Sequence, residues 1–383
     1  MTSFADSAKK MPRVSNGFHE KSIAKNSTQV KDQSVPQIPE IITNLMFGFC
    51  GSQTLFTACE LGIFDLLHAS NTPLSANAIA KDLSTDVDAT GRLLDALVCL
   101  ELLEKTPASP PVYMNTPTTD RFLLQSSPNS VKPCMQFGGT VLYRLFSNLT
   151  SAVRDGNNQW GRTFNGSTAG DFFKSAYATR EGVIRVLEGM RGTSRPVAPL
   201  VVTAFDLSSF ATMCDVGGGT GDLAYAASNA YPDMAITVLD LPPVVQCSPH
   251  FRPSMEECPR QENVTFVPGD FFREELPPAD LYVLTHTIHD WGEDKIEMLL
   301  SKVFRSLQPG GGLLIGEILL SDRKTGPFQG VMASLTMLVL CDKGARERSE
   351  QEYRDILERH GFIDIQAKRT GTAFMDAILC RKP

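Results

Sequence analysis

The second half of the chain predicts an α/β fold: a parallel sheet with helices on both faces, finished by an antiparallel strand pair. An all-helical region patterned like a winged helix precedes it. Three observations carry this prediction. From Thr212 onward, strand-length apolar segments alternate with helical spans, which is the signature of successive parallel strands joined by crossover helices. The run Asp215-Val-Gly-Gly-Gly-Thr-Gly221 joins one such strand to a helix-like stretch beginning near Leu223. At the end of the chain, Ile363–Ala367 and Phe374–Leu379 flank a turn around Thr370-Gly371, and two strands joined so closely must be antiparallel.

In chain order, residues 1–36 are polar, with six cations against three anions and no apolar period, and predict a disordered tail. Residues 37–135 predict a winged-helix-like dimerisation domain. It opens with an apolar helical stretch from Ile41 to about Leu67, broken at Gly62. A helix from Ser75 to Asp82 follows, with Ser75 as N-cap, then one from Asp88 to Leu103 that sets Leu93, Leu94, Leu97, Leu100 and Leu103 on one face. Val112–Asn115 suits a wing. Residues 136–383 predict a catalytic domain that begins with linking helices up to about 202. Its strands are Thr212–Val216, Ile236–Leu239, Val264–Val267, Leu281–Thr285 and Leu313–Ile318.

Composition excludes several functions. The formal net charge is -7, and the helix-turn-helix between Leu74 and Lys105 holds three cations against six anions, so nucleic acid is not an expected partner. The most hydrophobic run, Leu313–Leu320, is strand-sized, and no segment reaches membrane-spanning length. The nine cysteines include no Cys-x-x-Cys pair and sit mostly in apolar segments. They read as reduced core thiols of a cytoplasmic protein without a signal peptide. The apolar helix around Ile41, Ile42, Leu45, Met46 and Phe47 is expected to bury itself against a second copy, as a homodimer.

The glycine loop predicts a small bound cofactor. Gly217 and Gly219 remove the Cβ atoms that would hold a ligand away from the backbone. A dinucleotide site would use the bare positive end of the next helix for a pyrophosphate, yet the third glycine comes one residue early, at Gly221, and Asp222 follows. A carboxylate there is expected to cap the helix and repel phosphate. S-adenosylmethionine, a sulfonium cation without phosphate, suits an acidic loop better than NAD. Asp240, ending the second strand, can accept from both ribose hydroxyls, and this also serves a dinucleotide. Asp270, ending the third strand, can accept from the adenine amino group with Phe271 packed on the ring; a helix N-cap for Asp270 and core packing for Phe271 are the alternatives.

The fourth strand ends in Thr285-His-Thr-Ile-His-Asp-Trp291, beside the loop. Methyl transfer to a hydroxyl needs a base near neutral pKa, and His289 is the candidate. A carboxylate behind its other ring nitrogen would fix the tautomer, and Glu317, ionisable inside an apolar strand, suits that task. Glu347, within Arg346-Glu-Arg348, reads as part of a solvated charge run. No cluster of His, Cys, Asp and Glu has metal-ligand spacing along the chain, so no metal is expected. A nicotinamide dehydrogenase, a winged-helix transcription factor and a cofactor-binding paralogue without catalysis are the competing readings.

Taken together, Asp215–Gly221, Asp240-Leu-Pro-Pro, Gly269-Asp-Phe-Phe272, Ile288-His-Asp-Trp291, Gln308-Pro-Gly-Gly-Gly312 and Glu347-Arg-Ser349 resemble the class I O-methyltransferases of small phenols, and most closely the branch that methylates hydroxyindoles. The resemblance runs from about Ile41 to Lys382. It implies a Rossmann-like methyltransferase sheet, a homodimer formed through the N-terminal domain, a small hydroxylated aromatic acceptor and no metal requirement. It implies His289 as general base with Glu317 and Glu347 beside it. Tyr177, Asp240, Asp270, Phe271 and His286 fall on the cofactor side, and Asp290, Thr336 and Leu340 face the acceptor. Four positions depart from that branch. Ser194 stands where Trp is usual and His286 where Arg is, while Thr336 and Leu340 replace an Asn and a Gln of the acceptor pocket.

Overall fold

The computed structural model describes residues 37–164 and 172–383; the expected disordered tail lies outside them. The chain divides into two units after Met46, and the second, Phe47–Pro383, carries all of the sheets. Helix α1 (Glu40–Leu61) and α2 (Ile63–Ser70) are separated at Gly62, whose φ of 73° is a left-handed conformation that glycine adopts without cost. Helix α3 (Ala76–Leu83) starts where the Ser75 side chain accepts from the Ala78 amide, and α4 (Val87–Cys99) where Asp86 accepts from Ala89. These caps satisfy donors that the first turn leaves unpaired.

Helix α4 stops at Cys99 rather than running to Leu103. Glu101 takes a φ of 60° and turns the chain into a strand, so Leu100 lies exposed, off the buried face of Leu94 and Leu97. The all-helical expectation is corrected here: β1 (Leu74–Ser75), β2 (Leu103–Lys105) and β3 (Val112–Asn115) form an antiparallel sheet in the order β1-β3-β2. Ala58, Phe64, Ile79, Leu94, Leu97, Leu103 and Tyr113 share its core with the helices.

The main sheet contains β4 (Thr212–Val216), β5 (Ala235–Asp240), β6 (Val264–Pro268), β7 (Leu281–Thr285), β8 (Gly312–Glu317), β11 (Ile363–Lys368) and β12 (Asp376–Arg381), in the order β11-β12-β8-β7-β4-β5-β6. Strands β4 to β8 run parallel, and β12 lies antiparallel between β8 and β11. Two short strands, β9 (Leu319–Leu320) and β10 (Arg348–Ser349), pair in parallel beside it. The sheet has two apolar faces. One packs Tyr282, Leu284, Ile315 and Ile378 against Leu299, Val303 and Tyr353; the other packs Met213, Val238, Val283 and Leu314 against Val201, Leu223 and Ala224. From β4 the chain builds outward through β5 and β6, then crosses to the other side of β4 to lay down β7 and β8. That reversal opens a crevice at the carboxyl ends of β4 and β7, where ligands of open α/β sheets bind.

Candidate active site

The glycine loop leaves β4 with Gly217 at φ 76° and Gly219 at φ 56°, positions where a Cβ would strain the turn. A Cβ at Gly217 would also meet the Phe271 ring at 3.5 Å, so Phe271 lies directly over the loop. Asp240, at the end of β5, accepts from the Gly219 amide at 2.8 Å and from the Leu241 amide at 2.7 Å. Burial nonetheless pushes its pKa up to about 6 against those two bonds. Asp215 is 1% exposed, and neither carboxylate oxygen has a hydrogen-bond partner among the described residues. Burial, then the neighbouring Asp240 and Asp222, raise its pKa to about 7. A buried polar group left unpaired is costly, and a cation placed beside it would recover that cost.

Asp222 does not cap its helix, contrary to expectation. Gly221 is the N-cap residue and makes no side-chain cap bond. The Asp222 carboxylate instead accepts from Thr220 Oγ1 at 2.6 Å, Arg191 Nε at 3.2 Å and Ser194 Oγ at 3.3 Å. It thereby ties the loop to the Arg180–Ser194 helix. Asp270 follows β6, where the Gly269 amide donates to the Asp240 carbonyl at 2.9 Å. One of its oxygens accepts from the Phe272 amide at 2.9 Å and its side chain remains 31% exposed, so it is turn-forming and accessible at once.

The second half of the site is built at the ends of β7 and β8. His286 takes a φ of 48° and donates its amide to the Gly316 carbonyl at 3.0 Å. A non-glycine residue in that region is uncommon and strained. Its Nε2 is buried without a partner among the described residues, and burial together with His289 lowers its pKa to about 4. A short 3-10 turn, Ile288–Asp290, then carries His289 just beyond the carboxyl end of β7. Glu317 Oε1 accepts from the amides of Thr287, Ile288 and His289 at 3.1, 2.9 and 3.4 Å. Its other oxygen lies 2.9 Å from His289 Nδ1, and Glu347 Oε1 lies 2.8 Å from the same nitrogen.

Glu347 is therefore not solvated: it is 1% exposed. The Arg346 amide donates to the His289 carbonyl at 2.9 Å, pulling this segment in, and the wholly buried Arg348 donates to Glu293 at 3.1 Å. Burial works against a charged His289, but Glu317 and Glu347 outweigh it and hold the imidazole well above its ordinary pKa. Glu347 is raised by burial, whereas Glu317 ends below its usual value because His289 more than offsets burial. With Nδ1 engaged by two carboxylates, Nε2 faces the other way, 3.6 Å from Asp290 Oδ1. Burial raises the Asp290 pKa to about 6, and the same oxygen accepts from Cys341 Sγ at 3.1 Å.

An apolar wall adjoins this cluster. Ring contacts run from Phe271 to Phe272, on to Trp291 and Phe173, and then to Phe172, Trp160 and Tyr177. Tyr177 is half-buried, and burial, then the charges of Asp240 and Asp290, raise its pKa well above the usual value; it thus stands between the two halves of the site. Leu340 is buried with Phe137, Val141, Phe172 and Met337. Thr336, half-buried on the same Phe328–Leu340 helix, donates its hydroxyl to the Met332 carbonyl at 3.2 Å. Sequence reasoning missed Asp215 as an unpaired carboxylate, the Trp291–Phe173 contact, and Cys341 and Arg348 beside the cluster. The only signals for them were a charge in an apolar strand and a tryptophan after the His-Asp pair.

Comparison with known proteins finds related sequences and structures over most of the chain. A family model described as an O-methyltransferase domain matches residues 146–363, and an O-methyltransferase dimerisation domain matches 43–125. Acetylserotonin O-methyltransferase of Gallus gallus is 40% identical over 90% of this chain and 97% of its own length. The Homo sapiens enzyme of that name is 38% identical over 91% and 99%. Among solved structures, human N-acetylserotonin methyltransferase in complex with SAM matches with a TM-score of 0.85 at 37% identity, covering 92% of this chain and 99% of that one. PigF with SAH matches with a TM-score of 0.79 at 26% identity, covering 90% and 100%.

Proposed function

The chain belongs to the O-methyltransferase family and is an S-adenosylmethionine-dependent enzyme of that kind, and from this premise we propose that it methylates the hydroxyl of a small aromatic acceptor, with N-acetylserotonin the first candidate and His289 the general base. The observation that carries the catalytic reading is the clamp on His289 Nδ1 by Glu317 and Glu347. It fixes the ring with Nε2 turned away from the carboxylates, and because it favours the imidazolium, the neutral ring that can take a proton is the scarcer form near neutral pH. Two carboxylates then stabilise the imidazolium that forms.

The loop suits the methyl donor. Asp215 offers a buried, unpartnered carboxylate, and Gly217 and Gly219 leave the backbone bare, which together favour a cationic ligand without phosphate. Asp240 and Asp270 would hold its ribose and adenine, with Phe271 on the ring and Tyr177 and His286 nearby. Bound there, the donor supplies an electrophilic sulfonium methyl group. The chain's own residues do the rest: the aromatic wall excludes water, Asp290 lies beside Nε2, and His289 accepts the hydroxyl proton as the acceptor oxygen attacks.

N-acetylserotonin ranks first because relatives bearing that name match nearly the whole chain. A second reading, a less polar phenol, rests on Leu340. Its side chain is buried among apolar neighbours and offers no hydrogen bond, and Thr336 already spends its hydroxyl proton on its own helix. A labelled methyl-transfer screen across N-acetylserotonin, other hydroxyindoles and simple phenols tests both. Transfer to phenols alone would remove the first candidate; no transfer to any of them, with the donor bound, would favour a non-catalytic paralogue.

The chain carries a dimerisation domain, and we assign it to residues 37–135 of a homodimer, with 136–383 as the catalytic domain. Phe47 and Phe49 are exposed on α1, which favours a covering partner. No described helix is long and apolar enough to cross a membrane. A cytoplasmic setting is in keeping with nine cysteines that are all free, and the acidic charge of -7 gives no footing for nucleic acid.

A further inference from the structure

Spacing along the chain hides one arrangement that the fold creates. His286, His289 and Glu317 each present a ligand atom, and these atoms all lie within 4.8 Å of one another. We propose that this triad is a binding site for a divalent transition metal of the zinc class, and that occupation of the site inhibits the enzyme. It is a regulatory or toxic site, separate from any requirement of the reaction.

Three features support it. The donors are two imidazoles and a carboxylate, the set that suits zinc and its neighbours. At metal–ligand distances of about 2.0–2.2 Å, tetrahedral donors sit roughly 3.3–3.5 Å apart, so side-chain adjustment on the order of 1 Å closes the shell. The His286 Nε2 is buried and unpartnered among the described residues, and its backbone is held at φ 48°, a strained conformation that aims the ring beside His289, 5.3 Å between ring centres. Finally, Glu317 is already oriented by three backbone amides. Such outer partners are what hold metal ligands in place.

On binding, the metal takes lone pairs from His286, His289 and Glu317, and any proton on the coordinating nitrogen of His289 is released to solvent. No other bond changes. His289 is then unable to serve as a base. The inhibitory consequence rests on His289 being the general base; the binding itself does not.

The test uses the full chain after treatment with a chelator. Equilibrium dialysis with Zn2+ and visible absorption with Co2+ are expected to show one ion per chain with low-symmetry coordination. The affinity should fall at least about tenfold in both His286→Ala and His289→Ala. Zn2+ should raise the thermal unfolding midpoint of the native chain and not that of His286→Ala, which guards against a misfolded variant. Methyl transfer by the native chain should fall over the same Zn2+ range as binding. Binding that persists unchanged in His286→Ala, or no Co2+ signal at all, overturns the site. Binding with the expected losses but no methyl transfer to any acceptor upholds the site and sinks the methyl-transfer reading; transfer without metal binding sinks the site and leaves that reading standing.

Discussion

His289 Nδ1 lies 2.8 Å from Glu347 Oε1 across 58 residues of sequence, with Glu317 2.9 Å from the same nitrogen. The imidazole has two buried carboxylates on its Nδ1 edge, and its Nε2 edge lies 3.6 Å from Asp290 Oδ1. Removing the ring should lower turnover by about 10²-fold or more while leaving the cofactor loop intact. In His289→Ala we therefore expect near-native S-adenosylmethionine affinity by calorimetry and a loss confined to kcat. Glu347→Gln keeps an oxygen to accept the Nδ1 hydrogen but drops the charge, so a smaller loss of about tenfold or more is expected. Near-native kcat in His289→Ala would take the base role away from this residue.

Donor binding should strengthen as pH rises. Asp215 and Asp240 have pKa values raised to about 7 and about 6, so each is partly neutral in the free protein near those values. A cationic ligand favours their ionised forms. Affinity should climb between about pH 5.5 and 8, and Asp215→Asn should flatten that climb while weakening binding. The same shifts bear on stability. A carboxyl whose folded pKa exceeds its unfolded value of 3.8 adds stability that is complete below 3.8 and lost as pH rises through the folded value. The free protein therefore gives up stability toward pH 7 that the bound donor restores. A pH-independent donor Kd would contradict this account.

The glycine loop, the five parallel strands, the final hairpin and His289 were legible because short-range spacing encodes them. Glu347 was not. Arg346-Glu-Arg348 has the composition of a solvated run, and only the long-range bond from Arg346 to His289 and the burial of Arg348 against Glu293 carry it inside. The Asp222 expectation failed for the same reason: Arg191 and Ser194, 31 and 28 residues distant, compete for a carboxylate that local rules give to the helix end. Strands β1 and β2, of two and three residues, are too short to display an alternation.

Acceptor preference should respond to Leu340 and Thr336. Leu340→Gln introduces an amide into a buried apolar cluster, at a cost of about 1–3 kcal/mol if it finds no partner. An acceptor bearing its own amide, such as N-acetylserotonin, can supply that partner; a simple phenol does not. The ratio of kcat/KM for N-acetylserotonin over phenol should rise at least about tenfold in Leu340→Gln, and less in Thr336→Asn. An unchanged ratio would show that these two positions do not face the acceptor.

Dimerisation should depend on the apolar face of α1. Phe47 is 63% exposed and Phe49 57%, and burying a phenylalanine is worth about 1.5–3 kcal/mol. In a two-fold interface each substitution counts twice, because the same surface is used by both copies. Phe47→Asp would place a charge on either side of the axis and should raise the dimer dissociation constant well beyond tenfold. Sedimentation velocity across a concentration series reads that shift directly. Catalytic residues need not be perturbed, so circular dichroism should remain native and donor binding should persist in the monomer. A native chain that sediments as a monomer at micromolar concentration would remove the homodimer reading, and a dimer indifferent to Phe47→Asp would move the interface away from this face of α1.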